Sequence, residues 1–156
     1  MSITINSGPW SLQQIHQYWD SAVIPIRLAS AGSPGPTVQS LWFLPHQDAL
    51  WCCTQKDALV VRRLQADPFC GFEIAGDHPP YRGVRGHGRA VLQPGQASEI
   101  LPRLLARYAI AAESSLATWL LSRLDDEVAI AITDLSVTSW DYAERMAAVV
   151  SPAVNP

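Results

Sequence analysis

Apolar and polar positions alternate with a period of two along much of this chain, the pattern of half-buried strands. Phe69 to Ala75 places Cys70, Phe72 and Ile74 on one face. Arg82 to Leu92 sorts more sharply, with Arg85, His87 and Arg89 on one side and Val84, Gly86, Gly88, Ala90 and Leu92 on the other. Glu127 to Thr133 points Val128, Ile130 and Ile132 inward and can continue through Val137 to Trp140. Ile24 to Ala29, Val38 to Leu44 and Ala49 to Cys53 read as three more strands, the last two forming a hairpin around Pro45-His46-Gln47-Asp48. Ser30-Ala31-Gly32-Ser33-Pro34-Gly35-Pro36 and Gly76-Asp77-His78-Pro79-Pro80 are turn compositions.

Between these runs the period lengthens towards 3.6. Residues 11–20 predict a helix that packs Leu12, Ile15, His16 and Trp19 across a barrel end. A second helix falls between Thr54 and Asp67, with Asp57 as its cap, Val60 and Leu64 stacked one turn apart and Pro68 as its stop. Ile100, Leu101, Leu104, Leu105 and Tyr108 make a third stripe; Leu116, Trp119, Leu120 and Leu124 make a fourth after Ser114-Ser115, with Trp119 as a packing residue. Six strands with inserted helices and no βαβ alternation predict a mainly β fold, a small antiparallel barrel with peripheral helices. The 156 residues fit one domain with a core over about 22–142, the N-terminal helix and a loose tail over 147–156 that includes Ser151 to Pro156.

Composition narrows the class. With 48% apolar and only 16% charged residues the chain is not disordered, and it carries apolar surface in excess, which predicts an oligomer. A net charge of −3 argues against a general nucleic-acid binder. No secretory leader and no apolar run long enough for a membrane span is visible, so a cytoplasmic protein is expected. Cys52, Cys53 and Cys70 sit in apolar runs without zinc spacing and read as reduced packing thiols; no metal site is expected.

The candidate chemistry is sparse. The two glycines of the Arg85–Arg89 strand suggest that another backbone or a flat ligand comes close there, and the strand is either an anion-binding face beside a ligand or a barrel strand kinked at its glycines. Arg27 is a lone charge in an apolar run and pairs either with a ligand phosphate or with a carboxylate such as Glu73. Lys56 is a solvated lysine at a helix start, where a cation opposes the helix dipole unless an anion is bound. Trp42 and Phe43 point to opposite sides of their strand, so one fills the core and the other can face a ligand cleft. His87 has no nucleophile or carboxylate at a diagnostic spacing and reads as a solvated or interface histidine. Asp125-Asp126-Glu127 reads as a solvated turn rather than a metal site.

Four pieces in order carry a resemblance: Ile24-Pro25-Ile26-Arg27-Leu28-Ala29-Ser30; Ser40-Leu41-Trp42-Phe43-Leu44; Leu50-Trp51-Cys52-Cys53-Thr54 leading to Arg63-Leu64-Gln65-Ala66-Asp67-Pro68; and Pro80-Tyr81-Arg82-Gly83-Val84-Arg85-Gly86-His87-Gly88. Over roughly residues 22–142 the chain resembles the pyridoxamine 5'-phosphate oxidase-like, FMN-binding split-barrel superfamily. The resemblance implies a six-stranded antiparallel split barrel, assembled as a homodimer with cofactor clefts at the interface and the flavin phosphate near the hairpin-to-helix junction. It further implies a flavoprotein, an FMN-dependent oxidoreductase acting on a small molecule; the alternative is a non-catalytic binder of flavin, deazaflavin F420 or haem.

Members of that superfamily commonly place a serine and a lysine against the phosphate at positions where this chain has Ala58 and Val60. Replacement donors are then expected from Arg27, Lys56 and the Thr54-Gln55 segment, with Arg82 or Arg85 contributing across the dimer interface, and Trp42 or Phe43 against the ring. The chain ends in Trp140-Asp141-Tyr142 and Arg145-Met146 rather than the aromatic and Arg-Leu-x-Pro ending of true pyridoxamine 5'-phosphate oxidases, so it is not expected to be that enzyme.

Overall fold

The computed structural model describes residues 2–150. Its strands are β1 (Ile3–Ser7), β2 (Ile26–Ser30), β3 (Thr37–Leu41), β4 (Leu44–His46), β5 (Ala49–Gln55), β6 (Phe69–Ala75), β7 (Arg82–Gln93) and β8 (Glu127–Asp141). The helices are α1 (Leu12–Ser21), α2 (Leu59–Ala66), α3 (Ala97–Arg107), α4 (Ser115–Leu121) and α5 (Ala143–Val150).

One hydrogen-bonded path, β3-β2-β6-β7-β8-β5-β4, holds the sheet together, and β1 adds beside β8. Every pairing along the path is antiparallel, while β1 runs parallel to β8. The path begins at β3 and ends at β4, neighbours in sequence that share no ladder. The sheet curls until these ends face one another, and the chain crosses the gap at Trp42-Phe43. This is the expected split barrel, with eight strands rather than six. Val38 to Leu44 is therefore two strands, broken where the barrel is open.

Burial follows the alternation. Cys70, Phe72 and Ile74 of β6 and Val84 and Ala90 of β7 face the interior, where Leu28, Leu50, Ile130 and Ile132 meet them. Beyond this inner face, β5 and β8 are covered on the outside as well. Ala49, Trp51, Ala129 and Ala131 pack against Ile100 and Leu104 of α3, whose small alanine partners let the helix lie close to the sheet. Burying a side chain such as Leu104 contributes about 2 kcal/mol, so α3 is held firmly and carries α4 with it.

The β7 glycines answer the choice left open above. A Cβ at Gly88 would lie 2.7 Å from the Thr133 carbonyl oxygen, and one at Gly86 would run into the Ser136 carbonyl. The register skips between His87 and Arg89, opposite Asp134 with its φ of 50°. These glycines let β8 bulge and bend around the barrel, and no ligand is needed to explain them.

Other expectations need correction. Asp57 does not cap α2; the N-cap is Ala58, which offers no side-chain oxygen, and Asp57 stands exposed one residue too early. The stripe on α4 faces outward, with only Ala117 buried and Leu116 and Trp119 both exposed. Of the acidic run, Asp125 and Asp126 are exposed in a single 3-10 turn, but Glu127 is buried as the first residue of β8. The tail proposed from 147 onward continues as helix through Val150, and 151–156 lie outside the described residues. No helix among the described residues is long and apolar enough to cross a membrane.

Candidate functional site

A cleft of about 370 Å³ opens where the barrel is split. Ser40 and Leu41 of β3 form one lip, and Cys53, Thr54 and Gln55 of β5 form the other. Leu101 and Leu104 of α3 close the back, and Trp119 and Leu120 of α4 overhang it. Trp42 and Glu127 complete the lining, with Pro25 at one end. Its size is within the range of small-molecule sites, and its mostly apolar walls with a few polar groups are their usual chemistry.

Trp42 is held in place from behind. Its ring stacks on Tyr108, with centroids 5.1 Å apart and planes 21° from parallel. The Tyr108 hydroxyl donates to the Ile24 carbonyl at 2.7 Å and accepts the Phe43 amide at 3.1 Å, so one side chain ties the segment leading into β2 to the linker between β3 and β4. Phe43 is wholly buried, beneath the Arg107 guanidinium 5.0 Å from its ring centroid. Trp42 therefore faces the cleft and Phe43 fills the core.

Glu127 is the acidic member of the lining and only 4% exposed. Burial pushes its carboxyl above the usual carboxylate range, opposed in part by the nearby Arg123 guanidinium. Beside it, the Cys53 thiol is pushed up to about 12, chiefly by burial and further by the Glu127 charge. It stays a neutral thiol at neutral pH and is no nucleophile.

The cations near the mouth are engaged. Lys56 Nζ donates to the Asp125 carbonyl. Arg123 lies 4.8 Å over the Trp119 ring and 3.8 Å from Asp126. With its amide oxygen turned towards Arg123, Gln55 accepts from both terminal nitrogens at 3.2 Å.

A second groove, of about 540 Å³, lies on the outer face of the sheet. Arg27, Glu73 and Arg85 sit side by side across β2, β6 and β7, with Gly71 and His87 in the neighbouring row. Arg27 is tied to Asp77 at 2.8 Å, to Glu73 at 3.7 Å and to the Ala75 carbonyl at 3.0 Å. Arg85 lies 5.5 Å over the Trp140 ring, and Arg82 stands elsewhere, its carbonyl accepting from the Tyr18 hydroxyl. The residues named from the sequence thus divide. Trp42, Thr54 and Gln55 meet at the cleft, with Lys56 at its edge; Arg27 and Arg85 share the outer groove; Arg82 and Phe43 join neither. Within one chain the expected anion site is not assembled.

Sequence reasoning missed Glu127 and misread Trp119. For Glu127 a signal was present, because it shares the parity of Ala129 and Ala131, the small residues over which α3 packs. For Trp119 there was none, since a helical stripe does not say whether the helix lies on the barrel or beside its opening.

No family model matches the chain, and no curated protein matches it. Solved structures do. The conserved hypothetical protein Rv2991 from Mycobacterium tuberculosis superposes with a TM-score of 0.74 at 21% identity, over 95% of this chain and 94% of that one. A structure described as an F420 reductase aligns at a TM-score of 0.62 and 18% identity, over 80% of this chain and 94% of its own. A putative pyridoxamine 5'-phosphate oxidase from Listeria innocua gives 0.59 at 17% identity, over 79% and 93%. At these identities the likeness is one of fold: the chain shares the split-barrel architecture of these structures.

Proposed function

We propose that this protein binds the planar ring system of a flavin-type cofactor in the cleft at the barrel split, and that it is an oxidoreductase distinct from pyridoxamine 5'-phosphate oxidase. The observation that carries the reading is the position of Trp42: an aromatic wall, buttressed by Tyr108, facing apolar α3 and α4 across a gap between unpaired strand ends. Solved structures of the same fold include one described as an F420 reductase and one as an FAD-binding protein.

The ring fits these walls better than the phosphate of FMN does. Among the described residues that line the cleft there is no lysine, arginine or histidine, and Ala58 and Val60 add no donor from their side chains. Haem finds no imidazole there either. When bound, the cofactor would supply the hydride chemistry. The chain's own part is to stack the ring on Trp42, to exclude water with Leu101, Leu104 and Leu120, and to leave Thr54 and Gln55 as polar contacts at the mouth. The resemblance also supports a homodimer as the working form, to be tested by mass in solution at micromolar concentration.

The test of the function is an absorption spectrum of the protein as isolated, with mass spectrometry of the small molecule released on denaturation. A flavin or deazaflavin spectrum that bleaches under anaerobic reduction supports an oxidoreductase. A bound flavin that no donor reduces favours a binding protein without turnover. A colourless protein that takes up no flavin at tens of micromolar, a weak range for a cofactor site, contradicts both.

A further inference from the structure

The cleft contains a carboxylate where this fold's phosphate-bearing ligands would call for cations. Glu127 is only 4% exposed and lines the cavity, its carboxylate opening to the cleft rather than fully enclosed, with the Arg123 guanidinium as the nearby cation. The basic side chains nearest the mouth are already engaged, Lys56 by the Asp125 carbonyl and Arg123 by Asp126, Gln55 and the Trp119 ring. A carboxylate stripped of much of its hydration gains from a ligand that offers it a donor. A phosphate dianion brought into the same cavity adds to it.

We propose that Glu127 sets the specificity of this cleft, selecting a phosphate-free, neutral or cationic planar heteroaromatic that turns a ring N–H towards the carboxylate. This deepens the proposed function and rests on it, naming the class of ring ligand that the cleft takes. Ser40, Thr54 and Gln55 at the lips contact the rest of the ligand, and none of them carries a charge. The low exposure of Glu127 makes its selection one of charge and hydrogen-bonding sense together, because a partly wet cavity screens it less than bulk water does.

The experiment is a fluorescence titration of the full chain with riboflavin, lumichrome and FMN at pH 7.5, in wild type and in Glu127→Gln. In wild type riboflavin and lumichrome bind, and FMN binds about three- to tenfold more weakly than riboflavin, the order expected for like charges across a partly wet cavity. In Glu127→Gln riboflavin weakens about fivefold as a charged hydrogen bond becomes a neutral one. The riboflavin-to-FMN ratio then falls towards one.

FMN binding more tightly than riboflavin in wild type overturns the inference and leaves the proposed function standing. A ratio that survives in Glu127→Gln overturns the role of Glu127. Failure of all three ligands to bind overturns the inference and the function together. The wild-type ratio stands as a test by itself if the variant does not fold.

Discussion

The Tyr108 ring lies under Trp42, 5.1 Å from centroid to centroid, while its hydroxyl bridges the Ile24 carbonyl and the Phe43 amide. One residue at the end of α3 thus closes the barrel where its strands do not pair and also sets the aromatic wall of the cleft. Stability and the shape of the cleft are coupled through it.

Tyr108→Phe keeps the ring and removes the bridge, leaving a partly buried amide and a carbonyl without their partner. A loss of about 1–3 kcal/mol is expected in urea unfolding, together with weaker binding as Trp42 loses its fixed orientation. Equal loss of stability with unchanged ligand affinity would separate the two roles and contradict the coupling.

The glycines of the sheet differ in what they do, and alanine substitutions distinguish them. Gly86→Ala drives a Cβ into the Ser136 carbonyl and is expected to destabilise by more than about 2 kcal/mol. Gly71→Ala meets nothing closer than the Ala29 Cβ at 3.7 Å and is expected to be neutral or to stabilise by up to about 1 kcal/mol. Thermal unfolding of both variants side by side checks the assignment of the β7 glycines to barrel bending. A tolerant Gly86 would remove it.

Glu127 carries a signature in stability as well as in binding. Its folded pKa is raised by burial, so the folded state holds its proton to higher pH than the unfolded chain does. This group's contribution is therefore lost as pH rises from the ordinary carboxylate value through the folded one, and wild type is penalised above that window. Glu127→Gln, which mimics the protonated acid, is expected to melt higher than wild type at pH 7. The difference should vanish below about pH 4, where the carboxyl is protonated in both states. A variant less stable than wild type at pH 7 would mean that the carboxylate has a partner in the folded protein.

Much of the barrel was legible because its strands bury one face. Phe69–Ala75 has the same limits in sequence and in structure, since strict alternation leaves no other reading. Ile3–Ser7 escaped notice because it is largely exposed and lies on the sheet edge, where apolar periodicity is not required. Trp42-Phe43 looked like the middle of a strand because both are good strand residues; the break arises from closure of the barrel, which is not local. The cleft was legible in part, through Trp42, Thr54 and Gln55. For Arg27 the carboxylate alternative was legible, since Glu73 does lie 3.7 Å from it; Asp77 and the Asp125 carbonyl, the other partners of Arg27 and Lys56, were not, because they are distant in sequence and come close only on folding.

The central claim, that the ligand sits at the barrel split and not in the groove around Gly71, is tested most directly by blocking each in turn. Ser40 is exposed on the lip of the cleft, and Gly71 lines the outer groove, where an added Cβ would meet nothing closer than the Ala29 Cβ at 3.7 Å. Riboflavin titrations followed by tryptophan-independent flavin fluorescence are compared for wild type, Ser40→Trp and Gly71→Trp. Binding at least about tenfold weaker is expected in Ser40→Trp, with wild-type affinity in Gly71→Trp. Retained binding in Ser40→Trp, with or without a loss in Gly71→Trp, would contradict it.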